Sequence, residues 1–239
     1  INLPTVTQDQ LTAEEYFERG NHHHFNSHYN KAIPEYTESL RLNPHNPSAY
    51  YRRGLAYERT GQKHLATADY DHAINEADKQ ILLNKDDAEA YRARGAAYDC
   101  KGEYNLAIDD YNEAIKINPE FTLAYYNRAI AYGDKKDYEC AIADFNKVIE
   151  LDPQFSRAYN GLGLVYNSQG AYKRAIAEFN ETIRLNPRFT FAYNNRGYSY
   201  YLNGDYDLAI ADFEQALQLD PNNENARHNL ELALQKKRG

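Results

Sequence analysis

The feature that most constrains this chain is a recurring 34-residue period. The phrase Tyr-x-x-Arg-Gly returns along the sequence, and units begun three residues before its tyrosine span 13–46, 47–87, 88–121, 122–155, 156–189 and 190–223. Five units are 34 residues long and the second is 41. Self-similarity at such a period marks one supersecondary unit in tandem, each copy contacting its neighbours.

Every unit carries the same physical parts. Position 4 is always tyrosine: Tyr16, Tyr50, Tyr91, Tyr125, Tyr159 and Tyr193. Position 8 is small (Gly20, Gly54, Gly95, Ala129, Gly163, Gly197), and position 20 is always alanine. Position 24 is aromatic: Tyr36, Tyr70, Tyr111, Phe145, Phe179 and Phe213. Positions 4, 8 and 11 share one face of a first helix, and 20, 24 and 27 one face of a second. Small residues let the two helices approach while aromatics fill the space around them. Glycine at position 15 in four units breaks the chain between the helices. Proline at position 32 in five units, preceded by Asn or Asp, ends the second helix. No unit can bury both faces alone, so the copies must stack.

This pattern resembles the tetratricopeptide repeat family over residues 13–223. Residues 224–239 resemble the polar capping helix of such arrays, with 1–12 a linker or extension. The resemblance implies an all-α, right-handed superhelical solenoid of antiparallel helix pairs, forming a single domain over 13–239. Two departures stand out. Arginine occupies position 7 in five units, where the family usually has leucine; Leu162 is the exception, and position 23 is acidic in all six. The two either form a partly buried ion pair or both lie on a solvated face, and the pair is the expectation. The second unit gains seven residues, roughly Ile81 to Asp87, which predicts a second helix running to about Leu83 with Ile81 and Leu82 extending its apolar stripe.

The resemblance also implies a concave groove lined by the first helices at positions 2, 5, 6, 9, 12 and 13. Of 23 tyrosines, nineteen fall at packing positions, and the other four, Tyr51, Tyr126, Tyr198 and Tyr201, fall at groove positions. So do Phe17, Phe25 and Phe191. Aromatics outside a core mark a surface that something covers. Asparagine is the second signal, at Asn21, Asn127, Asn160, Asn167, Asn194, Asn195 and Asn229, because an amide can clamp a peptide backbone without selecting its side chains. Charge is uneven: the first three units bring Glu14, Glu18, Arg52, Glu58, Arg59, Glu89, Arg92 and Asp99 to this face, the last three only Asp134 and Arg157. Arg92, Asn127 and Arg157 match three of the five positions of the family's carboxylate clamp, with Ala96 and Gly161 at the others; a looser carboxylate-binding role for the two arginines is favoured over a full clamp.

Other chemistry is excluded or weak. A formal charge of −8 opposes general nucleic-acid binding. No apolar run approaches a membrane span. His22, His23, His24 and His28 lack the remaining partners of a metal site, so neither metal nor cofactor is expected. No phosphate loop, His-Glu-x-x-His, paired-cysteine spacing or nucleophile elbow appears, so no enzyme is expected. Cys100 and Cys140 show no disulfide framework. They fit a cytoplasmic chain, while the absence of an initiator methionine leaves a secreted or periplasmic origin or a fragment of a larger protein open. The expected function is a scaffold holding another protein or an extended peptide in its groove. The alternatives are a homo-oligomerising subunit using its outer face or the long helix of unit 2, and a non-catalytic module of a larger protein.

Overall fold

The computed structural model describes residues 11–238. The linker expected over 1–12 falls almost wholly outside them. Among the described residues there are thirteen helices and no strand. The first helices of the repeats are α1 (Ala13–Phe25), α3 (Pro47–Arg59), α5 (Ala88–Cys100), α7 (Thr122–Asp134), α9 (Ser156–Ser168) and α11 (Thr190–Asn203). Their partners are α2 (Tyr29–Leu42), α4 (Lys63–Leu83), α6 (Tyr104–Ile117), α8 (Tyr138–Leu151), α10 (Tyr172–Leu185) and α12 (Tyr206–Leu219), with α13 (Glu224–Arg238) closing the array. The chain divides into two compact units, residues 1–119 and 120–239. Within each, successive first helices touch one another and the second helices do not, so the first helices form an inner face.

The repeat positions act as their spacing requires. A Cβ added at Gly20, Gly54, Gly95, Gly163 or Gly197 would meet the position-24 ring of the same repeat at 2.6–2.8 Å. Those rings are fully or almost fully buried, each contributing roughly 1.5–3 kcal/mol. Between the helices, Gly61, Gly102, Gly170 and Gly204 adopt positive φ, and Ser27 and Lys136 take the same conformation in the two repeats that lack the glycine. After the second helix the position-31 side chain accepts the N–H two residues on, as Asn43 does from His45 (3.2 Å), Asp152 from Gln154 (3.0 Å) and Asn186 from Arg188 (3.2 Å). That local bond competes with helix continuation just before the proline.

The arginine of position 7 pairs with the acid of position 23 in all five repeats that have it. Arg53, Arg94, Arg128 and Arg196 each donate twice, to Asp69, Asp110, Asp144 and Asp212, at 2.6–2.9 Å; Arg19 bonds Glu35 at 2.9 Å. Each guanidinium also lies 5.4–6.0 Å from its position-4 tyrosine ring. A third arm reaches back to the preceding repeat, from Arg53 to Thr37 (3.2 Å), Arg94 to Asp78 (2.6 Å) and Arg196 to Asn180 (2.7 Å). The arginine therefore ties two helices of one repeat and two repeats together. In the fifth repeat a buried Leu162 replaces it, and burial pushes the Glu178 carboxyl up, with Arg174 only partly offsetting.

The long second helix is present, since α4 has 21 residues where α3 and α5 have 13. Its apolar stripe does not extend as expected. Ile81 is half-buried, but Leu82 and Leu83 are 80% and 88% exposed. A helix about 12 Å longer than its neighbours overhangs them, so Leu82 and Leu83 in its last turn have nothing to pack on.

Candidate functional site

The two inner faces differ. In residues 11–119 the face is polar and much of it is bonded within the fold, although the buried Nε of Arg52 has no hydrogen-bond partner there. Arg92 was expected to meet a ligand carboxylate, but its side chain is only 5% exposed. It donates to Glu89 through Nε (2.7 Å) and Nη2 (2.5 Å) and to Ser48 Oγ (2.9 Å), and Ser48 itself donates to Glu89 (2.8 Å). Three of its N–H donors are used inside the fold, and its burial leaves little of the guanidinium open to a ligand carboxylate. Arg52 lies 5.9 Å from the Tyr51 ring, and Tyr51 packs against a core of Ala66, Tyr70, Ala73 and Ala97. Tyr70 donates to Glu58 at 2.7 Å. In the first repeat Phe17 lies 5.9 Å from the Tyr36 ring, Asn21 accepts from the Tyr36 hydroxyl at 3.0 Å, and Phe25 is exposed. Burial pushes the Cys100 thiol up to about 12, which keeps it protonated and unreactive.

In residues 120–238 the face is aromatic, amide-rich and apolar. Asn195 donates to Asn160 (3.1 Å), joining the first helices α11 and α9, and Asn229 to Asn194 (3.0 Å), joining α13 to α11. Each bond uses one half of each amide and leaves the other half for a ligand. Asn167 accepts from Ser199 at 2.9 Å. Tyr198, 41% exposed, stacks on Tyr201 at 6.2 Å, and Phe191, 51% exposed, meets the edge of Phe189 at 6.0 Å. Tyr126 packs on Phe145 and Phe155 and is half-buried, as is Asn127. Arg157 is exposed, its guanidinium 5.4 Å from the Phe155 ring.

This face also holds a cleft that spacing did not reveal. It measures about 180 Å³ and lies between α7 and α9, against Ala129, Ile130, Gly133, Asp134, Tyr138, Phe145, Gly161, Leu164, Val165 and Ser168. Its origin is local. Position 8 is alanine only in the fourth repeat, and there the position-24 ring, Phe145, lies under Gly161 of the next first helix, where a Cβ would overlap it. A Cβ at Gly133 would meet nothing within 4 Å. In the sequence Ala129 reads as a small packing residue and Gly161 as a mismatched clamp position, while Gly133 gives no signal.

Among the described residues no group of His, Cys, Asp and Glu is arranged to hold a metal ion, and no helix is long and apolar enough to cross a membrane.

Tandem helix hairpins whose first helices share an inner face define a helical-repeat protein. Sequence profiles of the tetratricopeptide repeat match residues 13–61 with 101–136, 47–80, 126–188 and 190–223. The chain belongs to the tetratricopeptide repeat family. No curated protein matches it by sequence. Among solved structures, MamA is 29% identical, covering 67% of this chain and 94% of its own, with a TM-score of 0.60. A tetratricopeptide repeat protein from Parabacteroides merdae is 22% identical, covers 95% and 86%, and scores 0.67. YrrB, described as having an unusual peptide-binding site, is 20% identical, covers 81% and 96%, and scores 0.54. The last two likenesses concern the fold alone.

Proposed function

We propose that this chain is a protein-interaction scaffold that grips an extended peptide along the inner face of α7, α9, α11 and α13. The observation that carries this is the amide and aromatic surface of residues 120–238. Half-used asparagines stand beside exposed Tyr198 and Phe191 on that face. Such amides can bond a peptide backbone, and the rings supply contact area with a polar tip. YrrB, of the same fold, is a peptide-binding protein by description, which supports the class of ligand. The test is selection from a library of short random peptides on the immobilised chain, followed by affinities for Tyr198→Ala with Tyr201→Ala. A loss of roughly 2 kcal/mol or more is expected for this aromatic pair, and unchanged affinity rejects the assignment.

A second reading rests on the overhang of α4. The adjacent leucines, 80% and 88% exposed at the end of the longest helix, suit contact with a second copy or another protein. A mass that rises with concentration in solution, and that Leu82→Glu with Leu83→Glu abolishes, supports it; a constant mass removes the second copy.

A further inference from the structure

On the basis of the peptide-binding role above, we propose that the cleft between α7 and α9 takes one aliphatic side chain of the peptide, and that Asp134 at its lip takes the cation of a neighbouring lysine or arginine. The lining sets the first half. Ile130, Leu164, Val165 and the Phe145 ring, seated under Gly161, make the walls, while Gly133 keeps the mouth open. The volume of 180 Å³ is below the roughly 300 Å³ at which small-molecule sites begin, and suits a single branched side chain.

Charge complementarity sets the second half. The Asp134 carboxylate meets no hydrogen-bond donor or cation among the described residues, and the residue ends α7, where the helix dipole already favours a cation. Burial alone pushes its carboxyl up, with no positive charge offsetting. Of the other polar residues of the lining, Tyr138 and Ser168, the Ser168 hydroxyl is turned back to the Leu164 carbonyl at 3.0 Å. An anionic lip beside an apolar cleft in a chain of net charge −8 selects an apolar side chain next to a basic one and disfavours acidic peptides.

The experiment selects short random peptides on the full chain and compares three variants. Peptides enriched in Leu, Ile, Val or Met beside Lys or Arg are expected. Gly133→Leu fills the cleft from open space and should weaken the selected peptides by roughly 10–200-fold, the range for losing an aliphatic group from a pocket. Asp134→Asn should leave the aliphatic preference and cut the basic one by about two- to fivefold. Tyr198→Ala with Tyr201→Ala reports on the wider face. Selected peptides that respond to the tyrosine pair but not to Gly133→Leu overturn the cleft and leave the scaffold role standing. A library that yields no binder overturns both. If Gly133→Leu unfolds, the same loss must follow from replacing the peptide's aliphatic residue by serine, and its absence rejects the cleft.

Discussion

The inner faces of residues 11–119 and 120–238 are built from the same repeat positions and reach opposite ends. Position 5 holds Tyr51 and Arg92 in the first, both drawn into the fold; in the second Tyr126 is packed in the same way, but Asn160 and Asn194 each keep half an amide unused. A repeat fixes where a side chain emerges, whereas the neighbouring helix decides whether it is consumed. Arg92 is consumed because Ser48, 44 residues earlier, and Glu89 meet it. Arg157, at position 2 of a later repeat, stays at the surface.

Removing these two arginines is the strongest test of that contrast. Arg92→Ala should cost about 3 kcal/mol of stability, the low end for breaking a buried ion pair, because Glu89 remains half-exposed and can rehydrate. Arg157→Ala should change stability by no more than about 0.5 kcal/mol. Urea unfolding midpoints of the two variants measure both, and similar losses would erase the distinction between the faces.

Glycine substitution then separates space that is used from space that is open. Gly161→Ala drives a Cβ into the Phe145 ring and should destabilise by roughly 1–3 kcal/mol. Gly133→Ala meets nothing, removes a helical glycine and should stabilise by about 0.5–1 kcal/mol. Opposite signs in thermal melts are expected, and matching signs would mean that the cleft is not an opening.

Most of the fold was legible because packing in this array is local. The period, the small residues facing rings and the arginine–acid pair all lie within one repeat or the next, so spacing alone assigns them. The overhang of Leu82 was not, because its exposure depends on the shorter length of α3 and α5 rather than on its own stripe. The site was half legible. Aromatics and asparagines announce themselves as residues, and the structure places Asn160, Asn194, Asn195, Tyr198, Tyr201 and Phe191 on one unit's inner face. The cleft is made of missing atoms at Gly133 beside the Phe145 ring, which a search for functional side chains passes over.

The inter-helix turns are an internal control, since they lie off both faces. Ser27 (φ 59°) and Lys136 (φ 63°) hold the conformation that glycine holds elsewhere. Ser27→Gly and Lys136→Gly should each stabilise by about 0.5–1 kcal/mol, the left-handed penalty less the added freedom of the unfolded chain. Equal gains in the two units are expected; a gain in one alone would place the difference between them in the backbone as well as on the inner face.

The smallest effect belongs to Asp134, and its sign discriminates. Burial raises its folded pKa above the ordinary 3.8, so the folded state binds the proton more tightly than the unfolded state does. Ionised Asp134 therefore destabilises the fold above its folded pKa, and the penalty disappears as pH falls below 3.8. The negative charge at the C-terminal end of α7 acts in the same direction. Asp134→Asn should then be slightly more stable than the natural chain near neutral pH, with the difference shrinking to nothing on acidification. Melting temperatures across that range measure it. A bound lysine-containing peptide should reverse the order, because the carboxylate gains the partner that the free protein lacks. A variant less stable at neutral pH without peptide would show that Asp134 is already paired within the fold, and the lip of the cleft would lose its preference for a cation.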